Sequence, residues 1–253
     1  MKAAIERWIQ RQIKNAGAKG ALVGLSGGLD SSVVAALLKS SLGGANVLAL
    51  ILPVHSCRQD TEDAGLIAAK FRLPSVTVDL SDIYDCWLKK MVLPSGAGTE
   101  NCRKRTAEAN LKSRLRMSAF YYYANRLNYL VCGTSNRSEI MTGYFTKYGD
   151  GAADILPIGG LLKCRVRSLA VELGVPQRII DKPPSAGLWP GQTDEAEMGV
   201  TYGEIDAVLA AAEGERPDCR AEAASRIKKM RRLSEHKRTP AGIFIPPFVS
   251  KRR

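Results

Sequence analysis

No run of about 18 apolar residues occurs anywhere in the 253-residue sequence, so no segment reads as a membrane-spanning helix. The first residues, Met1-Lys2-Ala3-Ala4-Ile5-Glu6-Arg7-Trp8, carry charges where a secretory signal needs an unbroken apolar stretch. A cytoplasmic location is therefore expected. The six cysteines, at positions 57, 86, 102, 132, 164 and 219, include no CxxC pair, which argues against a zinc ribbon and against a thioredoxin-type redox pair. They read as reduced thiols. Histidine is scarce, with only His55 and His236. No internal repeat and no interdomain linker is visible.

What is present fits a packed soluble chain. Hydrophobic residues make up 45% and charged residues 25%, and the length is enough to bury most of the apolar surface in one large domain. The formal net charge is +12. Such an excess suits a polyanionic partner, either nucleic acid or a phosphate-rich small molecule. Much of it, however, lies in Arg226, Lys228, Lys229, Arg231, Arg232, Lys237, Arg238 and the terminal Lys251-Arg252-Arg253. A solvated helix face and tail would account for that cluster equally well. It lacks the interleaved aromatic residues that favour single-strand binding.

Hydrophobic periodicity predicts a helix over residues 3–14, a strand over Ala21–Leu25, a helix over Ser31–Leu42, a strand over Asn46–Pro53, a helix over Asp60–Phe71, a strand over Ser75–Leu80 and a helix over Asp82–Met91. A loop over 93–102, a long helix from Arg103 to about Asn125 and a strand over Tyr129–Cys132 follow. Strands alternating with helices imply an α/β fold: a single-domain, Rossmann-like parallel sheet flanked by helices. Later helices are expected near Arg165–Leu173, Tyr202–Ala212 and Ala221–Leu233. Segments 136–160 and 182–199 show no useful periodicity and read as binding loops or lids.

The most informative string is Gly24-Leu25-Ser26-Gly27-Gly28-Leu29-Asp30-Ser31-Ser32, between a predicted strand and a predicted helix. Glycines there let the backbone approach an anion, and the free N–H groups and dipole of a helix N-terminus favour negative charge. The string is neither a Walker A loop, which needs GxxxxGK[ST], nor the GxGxxG of a dinucleotide fold. It resembles the SGGxDS signature of the pyrophosphatase-loop ATP enzymes. Asp30 sets a carboxylate beside the expected phosphates, where Mg2+ would bridge them. The alternative is a glycine-rich turn in which Ser26 or Asp30 caps the helix.

A second string narrows the resemblance. Residues 133–156, GTSNRSEIMTGYFTKYGDGAADIL, are similar to the NAD synthetase family pattern, as are Asn110–Met117, Pro157-Ile158 with Lys163, Lys182–Ala186, Trp189–Glu195 and Glu235–Arg238, all in the family's order. The resemblance implies the adenine nucleotide alpha hydrolase-like fold over 1–253, with a basic C-terminal segment 221–253. It also implies ATP-dependent amidation of deamido-NAD to NAD with ammonia, through an adenylate, releasing AMP and pyrophosphate. Matched position by position, it assigns Gly24, Leu25, Ser26, Gly27, Gly28, Leu29, Asp30, Ser31, Thr134, Lys163 and Ser185 to ATP. Asp30 and Glu139 would hold Mg2+, with Glu139 in a short helix after a strand end and a structural salt bridge as its alternative. Lys163, otherwise an ordinary surface lysine, would supply a point charge. Deamido-NAD would be met by Arg114, Lys147, Asp154, His236 and Lys237; His55 has no assigned role.

Ammonia must lose a proton before its nitrogen can attack, which calls for a nearby carboxylate. Asp150 is the candidate catalytic base, with Asp154 as its rival. Two departures from the family pattern stand out. Ser185 replaces a frequent threonine and keeps the hydroxyl, and Leu188-Trp189-Pro190-Gly191 follows the version in glutamine-using relatives. No amidohydrolase domain accompanies it here, so free ammonia is the expected donor, with a separate glutaminase subunit as the alternative. The family is homodimeric. The stripe Leu111, Leu115, Ala119, Tyr122 and Tyr123 suits either a subunit interface or the core. A tRNA-modifying ATPase would leave residues 145–151 unexplained, and the paired cysteines that thiolating members use are absent from the sequence; neither a nucleic-acid nor a membrane partner is expected.

Overall fold

Alternate residues of the central strands face opposite ways, and the chain uses this period to build two cores at once. The computed structural model describes residues 1–94, 101–189, 191–212 and 220–246, apart from the Cys102 side chain. Most of the expected 93–102 loop, Pro190, Cys219 and the terminal Lys251-Arg252-Arg253 lie outside these residues. Four parallel strands, β1 (Gly20–Gly24), β2 (Val47–Ile51), β3 (Ser75–Thr77) and β4 (Tyr129–Cys132), form a sheet in the order β3-β2-β1-β4. Ala21 and Val23 of β1 join one apolar cluster and Leu22 the other.

Helices α1 (Lys2–Asn15), α2 (Leu29–Leu42), α3 (Arg58–Lys70), α7 (Lys163–Glu172) and α8 (Gln177–Ile180) cover the first face through Ile9, Val33, Leu37, Ile67, Val166, Leu169 and Ile179. On the second face lie α4 (Ser81–Lys90) and α5 (Asn101–Leu127), with Tyr84, Leu115 and Ala124. A satellite cluster joins α9 (Asp194–Met198), α10 (Tyr202–Ala211) and α11 (Ala221–Leu233) through Met198, Ile205, Leu209 and Ile227. The short α6 (Arg137–Thr142) and α12 (Glu235–Arg238) complete the described helices.

Helix and strand types agree with the periodicity, while several ends shift. The third strand stops at Thr77 rather than Leu80. Its partner β2 is followed by Leu52-Pro53, and a proline has no N–H to continue the ladder. Segment 136–160 holds α6, which ends at Gly143 in the left-handed conformation, and Ile155, which bridges Cys132 beside β4. Of the α5 stripe, Leu115 is buried and Leu111, Ala119 and Tyr123 pack on the second core, whereas Tyr122 is 62% exposed. Cys57, Cys86, Cys132 and Cys164 are free thiols. No described helix is long and apolar enough to cross a membrane.

Candidate active site

Parallel strands bring their carboxyl ends to one edge, and the residues just beyond β1, β2 and β4 line a cavity of about 460 Å³. The loop Gly24–Ser31 forms one wall. Gly28 precedes α2, and no side chain caps that helix, so the capping alternative for Ser26 and Asp30 is not met. Ser26 Oγ instead accepts from Gly28 N at 3.2 Å, and Ser31 Oγ and Ser32 Oγ donate to Gly28 O at 3.0 and 2.8 Å. These bonds hold the loop from within. The first-turn N–H groups of α2 are left for an anion.

Lys163 corrects the expectation of an ordinary surface lysine. It is only 6% exposed, at the start of α7, and its ammonium contacts Asp30 Oδ2 and Glu139 Oε1, the latter at 3.2 Å. Burial lowers its pKa, but the two carboxylates outweigh that and raise it, so the lysine stays charged. Burial pushes Glu139 up, against the pull of Lys163. Asn136 and Glu139 form a capping box, and Asn136 Nδ2 donates to Asp30 Oδ1 at 3.0 Å. The capping pattern thus delivers Glu139 and Asn136 to the phosphate loop together.

Beside this junction Tyr202 Oη donates to Asp194 Oδ2 at 3.0 Å and lies 3.2 Å from Glu139 Oε1, while Lys163 Nζ stands 4.7 Å from the Tyr202 ring centroid. Asp194 is 5% exposed, and its Oδ1 has no hydrogen-bond partner among the described residues. Asp194 belongs to a recognised string, but nothing in that string separates it from Glu195. Tyr202, the first residue of α10, was missed because it reads simply as a core aromatic; the Thr201/Glu204 capping box fixes where it sits.

Thr134, Ser185, Asp150 and Lys237 also line the cavity. Ser185 Oγ donates to Gln192 O at 2.7 Å, and residues 182–189, Gln192 and Asp194 line the cavity. Lys112 Nζ holds that segment by Leu188 O at 2.9 Å, and the Arg105 guanidinium lies 4.9 Å from the centroid of Trp189. Asp150 is open to the cavity yet enclosed by surrounding protein, which raises its pKa even though Thr146 N donates to it at 3.0 Å.

The other dinucleotide candidates gather elsewhere. Arg114 Nη2 donates to Lys147 O at 3.3 Å, and Lys147 Nζ donates to His236 O and to Thr239 O, the latter at 3.3 Å. Lys237 Nζ donates to Gly143 O and Phe145 O at 2.9 and 2.8 Å. Asp154 stands apart from both groups. Its oxygens accept from Val131 N at 2.7 Å and Tyr121 Oη at 3.2 Å, and it does not line the cavity.

A glycine-rich loop at the carboxyl end of a parallel sheet, with two carboxylates and a buried lysine converging on it, is the arrangement of an α/β enzyme of the ATP-binding class. The family model described as NAD synthase matches residues 1–241, and the chain belongs to that family. It is 46% identical over 231 residues to the NH3-dependent NAD+ synthetase of Carboxydothermus hydrogenoformans, covering 91% of each chain. Among solved structures it resembles the NMN synthetase from Francisella tularensis, with TM-score 0.86, 39% identity and coverage of 98% and 97% of the two chains. The NH3-dependent NAD synthetase from Campylobacter jejuni matches with TM-score 0.79, 29% identity and coverage of 96% and 97%.

Breaking the junction should be costly. Lys163→Met leaves two carboxylates facing each other without their cation and should lower the unfolding free energy by about 3 kcal/mol at pH 7 in urea titrations. The loss should shrink as pH falls and Glu139, whose pKa burial raises, takes up a proton, since a neutral carboxyl no longer needs the ammonium.

Proposed function

We propose that this chain amidates deamido-NAD to NAD, using ATP and ammonia and releasing AMP and pyrophosphate. The observation that carries the reading is the Lys163 bridge between Asp30, on the phosphate loop, and Glu139, within a cavity that also holds Asp150. Family membership and the 46% identity to an NH3-dependent NAD+ synthetase support the same chemistry.

In the first step a nicotinate carboxylate oxygen forms a bond to the α-phosphorus, and the α–β bridging bond breaks to release pyrophosphate. The α2 N–H groups and Lys163 are placed to stabilise charge on the phosphate oxygens. In the second step the ammonia nitrogen attacks the activated carbonyl carbon and AMP leaves with the acyl oxygen. Asp150 takes the proton that the nitrogen must lose; the hydrogen bonds that occupy Asp154 weigh against its rival role.

Among the described residues no three His, Cys, Asp or Glu side chains form a ready-made metal cage. Asp30 and Glu139 nevertheless offer hard oxygen donors, and the buried, unpartnered Asp194 Oδ1 beside them suits a cationic neighbourhood. This donor set fits Mg2+, which is usually held by one or two carboxylates together with substrate phosphates and water. Asp30 and Glu139 would hold the ion, which when bound neutralises charge on the phosphates.

Arg114, Lys147, His236 and Lys237 are proposed to meet the dinucleotide, whose second half extends toward the loop 143–148 and α12. Exposed apolar residues Ile83, Trp87, Met91 and Val92 on and after α4, with Tyr122 of α5, support a homodimer. A cytoplasmic enzyme supplied with free ammonia completes the reading. The likeness to the Francisella NMN synthetase favours a second acceptor, the corresponding nicotinate mononucleotide.

Incubation with ATP, Mg2+, ammonium and deamido-NAD should yield NAD and AMP in equal amounts by chromatography. Replacing deamido-NAD with nicotinate mononucleotide should give slower amidation, and a faster rate would reverse the order of the two acceptors. Asp150→Asn should lower turnover about 100-fold at low ammonium. Because the ionised base exists only above its raised pKa, wild-type kcat should fall on the acid side at a higher pH than for an ordinary carboxylate. Near-normal turnover of Asp150→Asn would reject that residue as the base.

A further inference from the structure

Next to the phosphate loop lies a second ion network that the amidation scheme leaves unused. Lys182 donates to Asp60 Oδ1 at 2.6 Å, to Asp63 Oδ2 at 2.9 Å and to Gly27 O at 3.3 Å, three acceptors for three ammonium hydrogens. Asp63 is buried, and its Oδ1 also receives Arg178 Nη2 at 2.6 Å and Gln59 Nε2 at 3.1 Å. Burial pushes the Asp63 carboxyl up, but these donors and cations outweigh it and hold the carboxyl below its usual range.

Gly27 is the only residue of the Ser26–Ser31 loop with positive φ, +75°, and a Cβ there would stand 2.3 Å from Asp60 O. The backbone of α3 thus presses directly on this glycine. In a trans peptide the carbonyl and the following N–H point opposite ways, so tying Gly27 O also aims Gly28 N–H, which donates to Ser26 Oγ at 3.2 Å. The same lysine begins the segment 182–189 that lines the cavity. Two residues on, Pro184 O accepts from Asp194 N at 3.1 Å, and Ser185 Oγ reaches Gln192 O.

We propose that Lys182 is a positioning residue that acts through Asp60 and Asp63. It sets the Gly27 peptide, and with it the loop's N–H groups, in the register that receives the ATP phosphates, and it roots the cavity-lining segment 182–189 on the same two carboxylates. The assignment rests on the reading that Gly24–Ser31 holds those phosphates. It differs from direct contact, in which the ammonium would leave the aspartates for a phosphate oxygen. If Lys182 acts through the network, losing Asp60 harms ATP binding as losing Lys182 does. If it touches phosphate directly, losing Asp60 frees the lysine and improves binding.

The test is deamido-NAD-dependent exchange of labelled pyrophosphate into ATP, with KM for ATP and kcat read separately in Lys182→Met, Lys182→Arg, Asp60→Asn and Arg178→Gln. Lys182→Met and Asp60→Asn should each raise KM for ATP about 10-fold, with kcat at saturating ATP changed less than about 3-fold. Lys182→Arg should restore most of the affinity. Arg178→Gln, which removes a cation from Asp63 without touching Gly27, should lower the melting temperature and leave KM for ATP unchanged. An unchanged KM in Lys182→Met, a lowered KM in Asp60→Asn or a raised KM in Arg178→Gln would each overturn the assignment. If Lys182→Met fails to fold, the Asp60→Asn result decides. Wild-type protein giving no exchange would overturn the ATP reading itself.

Discussion

One buried ammonium organises the site. Lys163 joins the start of α2, through Asp30, to α6, through Glu139, and itself begins α7. These residues are far apart in sequence, and each would be poorly placed in an apolar interior without the others. Taking charges out of water costs several kcal/mol per ion, so such a cluster persists only when every member is paired. Asn136 donates a further hydrogen bond to Asp30, and the Tyr202 hydroxyl lies 3.2 Å from Glu139 Oε1. The helices are thereby fixed where a nucleotide's phosphates would end, and the same groups carry the charge that phosphoryl chemistry requires.

The positive charge of the chain acquires two separate explanations. Lys163, Arg116 and Lys237 line the cavity among several carboxylates, where cations suit a polyphosphate and a dinucleotide. Part of the C-terminal basic segment is instead structural. Arg238 donates to Ile140 O and Met141 O at 3.2 and 3.3 Å, Arg226 to Met198 O at 2.6 Å, and Arg220 pairs with Glu204. Basic side chains at helix ends satisfy carbonyls that have no partner within the helix. They seat α11 and α12 against α6 and α9, while Lys228, Lys229, Arg231 and Arg232 are exposed along α11, as a solvated helix face would have them.

The architecture was legible because strand and helix periods are local properties. Ala21, Leu22 and Val23 announce a strand buried on both faces, and Asn136-x-x-Glu139 announces the start of a helix. The glycine-rich turn between β1 and α2 was equally readable, since its glycines have a reason that belongs to the turn itself. What could not be read was pairing across distance. Nothing near position 163 signals burial, and nothing near 182 announces that its lysine reaches Asp60, Asp63 and Gly27. Family resemblance named Lys163, but as one phosphate contact among several; the geometry makes it the joint between two carboxylates. The resemblance also grouped Asp154 with Lys147 and His236, whereas its carboxylate is bonded to β4 and Tyr121.

Because the phosphate loop, Lys163 and the two carboxylates form one unit, a bound nucleotide must rearrange their shared contacts. A crystal structure with Mg2+ and α,β-methylene ATP, whose α–β linkage resists cleavage, tests this directly. The account predicts the phosphates against the Gly24–Ser31 backbone, Asp30 and Glu139 on the metal, and Lys163 Nζ moved from the carboxylates to a phosphate oxygen. Phosphates bound elsewhere, with Lys163 still held by Asp30 and Glu139, would contradict it.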